Sequence, residues 1–240
     1  MLARMPVATS NSVTAETETL GGDFSHVEDW IFDLDNTLYE QREGVLKVVE
    51  SRICRFVQRH CELPEHEAFA LQKTYYHRYG NTLAGLMAHH GADPEDYLAY
   101  VNDVDVSTLP VDARLKPALE RLPGRRFIFT NNCRRYAERV LKRLDIADCF
   151  DDVWDIRTVG FAPKPDPAAY ASVVDKCAVN VRRAAMFEDS PANLKPAHEL
   201  GMKTVYVASP TAAPAGTHDH IHHYTDDLPV FLSSLKVATS

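Results

Sequence analysis

The feature that most restricts this chain is the alternation downstream of Val111. Short apolar runs, RFIFT, DDVWDI, AAMFE and KTVYV, are separated by the helix-length segments CRRYAERVLKRL, PAAYASVVDKC and NLKPAHEL. Strands that alternate with helices of roughly ten to fifteen residues make βαβ units, and these build a parallel sheet covered on both faces. VEDWIFDLD, upstream, has the same strand character and ends in acid. Between the two lies a stretch of another period. Val45, Val48, Val49, Ile53, Phe56 and Val57 share one helical face after Glu43. Pro64 opens a second helix carrying Phe69, Leu71, Tyr75, Tyr76 and Tyr79, and a third carries Leu83, Leu86 and Met87 before Gly91 stops it. Asp93 and Pro94 then cap PEDYLAYV. The expected architecture is an α/β core made of residues 26–40 and 112–240, interrupted after its first strand by a small helical domain at 41–111. Residues 1–25 read as a flexible tail, ASPTAAPAGTHDH as a surface loop, HIHHY as a last short strand and DLPVFLSSL as a terminal helix.

Charge narrows the choice of partners. The formal charge of −8 is the wrong sign for a protein that displaces counterions from a nucleic-acid polymer, although a local site can still take a small phosphorylated ligand. No apolar run is long enough to span a bilayer, and the first residues lack the apolar stretch of a secretory signal. Five cysteines without a C-x-x-C pair argue against a disulfide framework or a structural zinc site and fit a reducing, cytoplasmic setting.

In an open parallel sheet, ligands bind beyond the carboxyl ends of the strands. Those positions are rich here: Asp33, Asp35 and Thr37 follow the first strand, Thr130, Asn131 and Asn132 the second, Glu188 and Asp189 follow AAMFE, and Lys164 lies in the loop FAPKPDP. Taken singly, each is an ordinary helix cap or surface charge. Together they bring several carboxylates to one rim, where each close pair repels by about 1 to 4 kcal/mol. A divalent cation offsets that repulsion, and carboxylate oxygens suit Mg²⁺ better than zinc. Thr130 and the backbone N–H groups after it can hold phosphate oxygens, as can Lys164. One aspartate can then attack phosphorus while the other donates a proton to the leaving oxygen and later takes one from water.

These residues carry a resemblance. DLDNT at Asp33, Asp35 and Thr37, FIFTNN at Thr130, KPDP at Lys164 and FEDS at Glu188 and Asp189 resemble, in order, the four motifs of the haloacid dehalogenase (HAD) superfamily of phosphohydrolases. The resemblance implies a Rossmann-like core, the HAD fold, with the helical insertion serving as a cap over the site. It further implies that Asp33 is the nucleophile and Asp35 the general acid and base. Mg²⁺ would be held by Asp33, the backbone carbonyl of Asp35 and Asp189, with Glu188 either a ligand or just behind the ligands. Family dehalogenases lack the second aspartate, because a halide leaves without a proton, so Asp35 favours phosphate chemistry.

DLDNTLY, YYHRYGNTLAGL, TNNCRRYAERVLKRLDI and FEDSPANLKPAHELGMKTVYV resemble, more narrowly, the pyrimidine 5′-nucleotidase subgroup. A Mg²⁺-dependent phosphomonoesterase acting on UMP or CMP is the resulting expectation. A phosphatase or phosphomutase for phosphoglycolate or a sugar phosphate, and a non-catalytic phosphate-binding module, are the alternatives. Tyr75, Tyr76 and Tyr79 can contact a base or sugar, although packing inside the helical block is expected for at least two of them. His218, His220, His222 and His223 have a spacing that permits a shared metal, but without an acidic or cysteine partner a solvated edge strand is the expectation.

Overall fold

In the computed structural model, which describes residues 22–40, 44–208 and 218–238, six strands form one parallel sheet. Most of the expected tail, the start of the helix at Glu43 and the middle of the expected loop at 209–217 lie outside the described residues. The strands are β1 (Asp29–Phe32), β2 (Arg125–Phe129), β3 (Asp152–Trp154), β4 (Ala184–Glu188), β5 (Lys203–Val207) and β6 (His223–Thr225), in the order β3-β2-β1-β4-β5-β6. β1 is therefore central, with Phe32 in register with Ile128 on one side and Phe187 on the other. Every residue of β1 and β4 is buried, as both faces of a parallel sheet require, whereas β6 at the edge is partly exposed.

Four helices, α1 (Val45–Cys61), α2 (Glu65–Tyr79), α3 (Thr82–His90) and α4 (Pro94–Val101), follow β1 in sequence and make up the helical block. α1 packs on α2 and α4, and α2 on α3. Asp93 caps α4 as its sequence requires, accepting from the amides of Glu95 at 2.8 Å and Asp96 at 3.0 Å. The remaining helices are α5 (Leu115–Glu120), α6 (Arg134–Arg143), α7 (Pro167–Cys177), α8 (Pro191–Leu200) and α9 (Leu228–Ser234). α5 was not expected from the sequence; it has six residues, no side-chain cap and a proline within it, so its pattern is too short to stand out.

The core beneath the site is aromatic. Phe32 and Phe187 stack across β1 and β4 with ring centroids 4.6 Å apart, and Trp30 lies on the same pair of strands. Burying each such ring contributes about 1.5 to 3 kcal/mol. At the opposite end of β1, Asp29 is also buried, but it is held by both sides of the Arg125 guanidinium at 2.7 and 2.9 Å. The acid at the amino end of the strand is thus part of the frame, and the acids past its carboxyl end are left for chemistry. Among the described residues no helix is long and apolar enough to cross a membrane, and all five cysteines are free.

Candidate active site

β1 stops at Phe32, so Asp33 and Asp35 stand in the turn beyond it rather than within the strand that VEDWIFDLD suggests. The Asp33 amide still donates to the Phe187 carbonyl at 2.9 Å, which fixes this residue beside the end of β4. Its side chain meets Lys164, whose Nζ donates to Asp33 Oδ1 at 2.6 Å, to Glu188 Oε2 at 2.7 Å and to the Phe129 carbonyl at 2.7 Å. With only 1% of its surface exposed, Lys164 has all three donors occupied inside the protein. Burial works against its charge, but the carboxylates of Asp33 and Glu188 outweigh burial and raise its pKa, so the amine stays protonated. Thr37 Oγ1 donates to the other Asp33 oxygen at 3.3 Å.

Asp189 completes the acidic group. One carboxylate oxygen each from Asp33, Glu188 and Asp189 lie within 4.8 Å of one another. Burial raises the pKa of Asp189 to about 9, with the charges of Glu188 and Asp33 adding to it. Burial likewise raises Asp33 to about 7, reinforced by Glu188 and opposed by Lys164. Three carboxylates against one ammonium leave a deficit of positive charge, and the donors are all oxygens. A divalent cation of the Mg²⁺ type fits that set, because it supplies the positive charge that offsets both burial of the carboxylates and their mutual repulsion. Glu188 is less available to it than the others: its Oε2 is taken by Lys164 and its Oε1 accepts from the Ser190 amide at 3.2 Å.

Asp35 sits in different company. Its Oδ1 accepts from the hydroxyls of Tyr39 and, at 2.9 Å, Tyr136, and its Oδ2 accepts from Asn132 Nδ2 at 3.3 Å. Burial raises its pKa, while these hydrogen bonds work in the opposite direction. Neither tyrosine was singled out as a site residue from the sequence. The available signal was that Tyr136 falls on the apolar face of a helix beginning just after a strand end, where a buried hydroxyl must find an acceptor.

The residues after β2 serve each other more than expected. Thr130 Oγ1 accepts from the Asn132 amide at 3.0 Å, which leaves the hydroxyl's own proton to be donated. The Cys133 amide is 3.3 Å from Asn132 Oδ1, and the Arg134 amide donates to Asp155 at 3.0 Å. The expected row of phosphate-binding amides is therefore largely engaged, and Asp155, unnoticed in the sequence, caps α6 from the end of β3. Asn131 also differs from its expected place against a ligand: its Oδ1 accepts from the Lys164 amide at 2.7 Å and its Nδ2 donates to the Lys164 carbonyl at 3.0 Å. It clamps the backbone that presents the lysine.

The three tyrosines of α2 divide. Tyr75 is buried, bonds His90 Nε2 at 2.8 Å and lies flat on Gly85, where a Cβ would come within 2.2 Å of its ring. Tyr79 bonds His89 Nε2 at 2.5 Å. Tyr76 is 55% exposed, and its hydroxyl's pKa is raised first by burial and then by the charges of Asp189 and Glu188. The residue is thus largely open to solvent, while its hydroxyl is partly buried and feels the charge of the acidic group. Gly80, which ends α2 with φ of +82°, explains how the helical block comes so near: a Cβ there would lie 2.6 Å from the Lys164 carbonyl oxygen. Arg157, in the loop after β3, holds the start of α4 through an ion pair with Glu95.

Among the described residues the four histidines do not gather into a group of three or more metal-ligand atoms. His220 Nε2 meets the Pro191 carbonyl at 2.8 Å and His222 Nδ1 accepts from the Thr204 amide at 3.0 Å. Among the described residues the cluster with metal-ligand spacing is that of Asp33, Glu188 and Asp189.

Comparison with known proteins bears on the family and the fold. Phosphate metabolism protein 8 of Saccharomyces cerevisiae is 30% identical over 193 residues, covering 72% of this chain and 59% of the yeast protein. The chain thus spans rather more than half the length of that relative. The HAD phosphatase of Thermococcus onnurineus shares the fold with a TM-score of 0.56 at 19% identity, over 88% of this chain and 100% of that one. The HAD-hydrolase YfnB of Bacillus subtilis, solved bound to magnesium, does so with a TM-score of 0.54 at 14% identity, over 83% and 94%. A dehalogenase of known structure and the 2-haloacid dehalogenase of Pseudomonas syringae have the same fold. The family model for haloacid dehalogenase-like hydrolases matches residues 31–201, from the middle of β1 to the end of α8. With the Rossmann-like parallel sheet and the ordered acidic strand ends, the chain belongs to the haloacid dehalogenase-like hydrolase family.

Proposed function

We propose that this hydrolase is a Mg²⁺-dependent phosphomonoesterase that works through an aspartyl phosphate on Asp33, with pyrimidine nucleoside 5′-monophosphates such as UMP and CMP as its substrates. The observation that carries this is the unequal pair of aspartates. Asp33 lies against Lys164 in the acidic group, while Asp35, two residues on, is held by uncharged donors alone. A nucleophile needs the first setting, and a group that must alternate between acid and base needs the second.

In the reaction, an Asp33 oxygen bonds to phosphorus as the ester P–O bond breaks. The electron pair of that bond goes to the leaving oxygen, which takes the proton of Asp35. Water then bonds to phosphorus, giving its proton to Asp35, and the bond from phosphorus to Asp33 breaks to release inorganic phosphate. Lys164 keeps its charge throughout and neutralises part of the phosphoryl group, and the Thr130 hydroxyl donates to one of its oxygens. Asp33, Asp189 and the backbone carbonyl of Asp35 would hold Mg²⁺, with Glu188 behind them. When bound, the ion supplies positive charge that offsets repulsion between the carboxylates and the phosphoryl oxygens.

Helices α1 to α4 act in this account as a cap that excludes water and reads the leaving group. The close approach of Gly80 to Lys164 and the position of Tyr76 support that role. Nucleotide selectivity rests on the resemblance of the motif segments to pyrimidine 5′-nucleotidases, with Tyr76 available to contact a base. A second reading keeps the chemistry and changes the substrate to phosphoglycolate or a sugar phosphate. It is favoured by the engagement of Tyr75 and Tyr79 with His90 and His89, which leaves one of the three aromatics beside the site. Phosphate release from UMP, CMP, phosphoglycolate and a hexose phosphate, ranked by kcat/KM with and without Mg²⁺, separates the two. The Asp33→Asn variant is the control, and turnover surviving in it rejects the mechanism.

A further inference from the structure

The two hydroxyls on Asp35 come from distant parts of the chain. Tyr39 follows Asp35 by four residues and forms a β-bridge with it, whereas Tyr136 lies in the first turn of α6, 101 residues away. Both side chains are buried, and their oxygens are 3.3 Å apart. A buried tyrosine hydroxyl needs an acceptor, but a backbone carbonyl suffices, as Tyr170 shows by donating to the carbonyl of Asn193. Convergence of two tyrosines on one carboxylate oxygen, with an asparagine amide on the other, exceeds what satisfying the tyrosines requires. From the geometry we infer that Tyr39 and Tyr136 are positioning residues: a two-hydroxyl clamp that fixes the Asp35 carboxyl group for proton transfer and remains hydrogen-bonded whether or not Asp35 carries the proton.

The second property follows from hydroxyl chemistry. An ammonium or guanidinium only donates, so it holds a carboxylate as the anion, as Lys164 does for Asp33. A neutral hydroxyl donates to either form. When Asp35 is ionised, both tyrosines donate to Oδ1. When Asp35 is protonated, the proton to be transferred sits on Oδ2, which keeps a lone pair beside Asn132, and the two neutral hydroxyls go on donating to Oδ1, now the carbonyl oxygen. The network is complete in both states, and Asn132 holds Oδ2 throughout. The clamp also links the turn after β1 to α6, so the proton donor is registered against the helix that follows Thr130.

This inference rests on the role proposed for Asp35, and leaving-group dependence separates the two. An alkyl phosphate needs a proton on its departing oxygen, whereas p-nitrophenyl phosphate leaves as a stable anion and needs little help. With Mg²⁺ present, kcat/KM for glycerol phosphate and for p-nitrophenyl phosphate is measured in the wild type, Tyr136→Phe, Tyr39→Phe, the double variant and Asp35→Asn. The clamp predicts a loss of about tenfold or more on the alkyl ester in each single variant, a smaller loss on the aryl ester, and a double variant whose aryl-to-alkyl ratio approaches that of Asp35→Asn. An unchanged ratio in both single variants, whether both rates fall in parallel or neither falls, overturns it. If one variant does not fold, judged by circular dichroism, the other decides. Absence of Asp33-dependent turnover of UMP, CMP and both of these esters in the wild type overturns the phosphatase reading itself, and the clamp with it.

Discussion

Asp33 and Asp35 are the same amino acid two residues apart, and the regions around them differ in kind. One contains a buried lysine and two further carboxylates, so its character is set by charge. The other contains two phenolic hydroxyls and an amide, so its character is set by neutral hydrogen bonds. Burial opposes ionisation in both places, yet only the first has a counter-charge within contact distance. A single turn can therefore present a nucleophile and a proton carrier, because the neighbouring strand ends and helices supply unlike partners.

Removing the nucleophile is the largest way to break this contrast. Asp33→Asn should lower kcat by on the order of 10⁴-fold or more on every ester, whereas Asp35→Asn should cost about 10²- to 10⁴-fold and spare aryl esters relative to alkyl ones. Steady-state kinetics on both ester types checks this, and equal losses in the two variants would erase the distinction. Lys164→Met comes next. It should lower kcat/KM by about 10²- to 10³-fold by removing fixed positive charge. In metal-free protein it should also cost about 3 to 5 kcal/mol, because Asp33 and Glu188 lose their buried partner. Urea unfolding with EDTA measures the second effect.

The acidic region also makes stability depend on pH in an uncommon direction. Burial, assisted by neighbouring carboxylates, holds Asp33 at about 7 and Asp189 at about 9, above their values in an unfolded chain. The folded metal-free protein therefore retains protons that the unfolded chain has lost. This contribution is complete below about pH 4 and disappears as pH rises towards 9. Thermal melts in EDTA should accordingly fall across that window. At pH 8, Mg²⁺ at a hundredfold excess over its Kd adds about 2.7 kcal/mol, or roughly 5 to 10 °C, and the same Mg²⁺ concentration should add less at pH 5, where protons compete for the carboxylates. A Mg²⁺ shift independent of pH would argue against coordination by these carboxylates.

The helical block offers the smallest contrast. Tyr75→Ala should destabilise the protein by about 3 to 5 kcal/mol, because the ring fills the space over Gly85. Tyr76→Ala should leave stability within about 0.5 kcal/mol and raise KM for UMP by about three- to tenfold, with less effect on a small phosphate ester. Substrate-dependent KM values and melting curves for the two variants distinguish a packing residue from one that meets the ligand.

Much of this was legible in the sequence because strand ends in a parallel sheet must converge. Asp33, Thr130, Glu188 and Asp189 each follow a recognisable apolar run, so their meeting needs no knowledge of side-chain direction, whereas Lys164 lies in a loop well past β3 and was marked by the KPDP motif. What was not legible depends on direction and on distant partners. Asn131 and Asn132 look alike on paper, yet one clamps the Lys164 backbone and the other reaches Asp35. Tyr39 and Tyr136 carry no mark of a site residue in the sequence, and nothing in their spacing reveals a shared acceptor. Tyr75 and Tyr79, four apart, lie on the same helical face and Tyr76 about a quarter turn away, so the period of α2 carried a hint of how they divide.

The central claim is that the phosphoryl group passes through Asp33. Turnover of a phosphomonoester with Mg²⁺, quenched and treated with borohydride, converts an aspartyl phosphate to homoserine, which peptide mass spectrometry locates. The account predicts homoserine at position 33 in the wild type and none in Asp33→Asn. Continued phosphate release with Asp33 unmodified, or homoserine at position 35 instead, would contradict it.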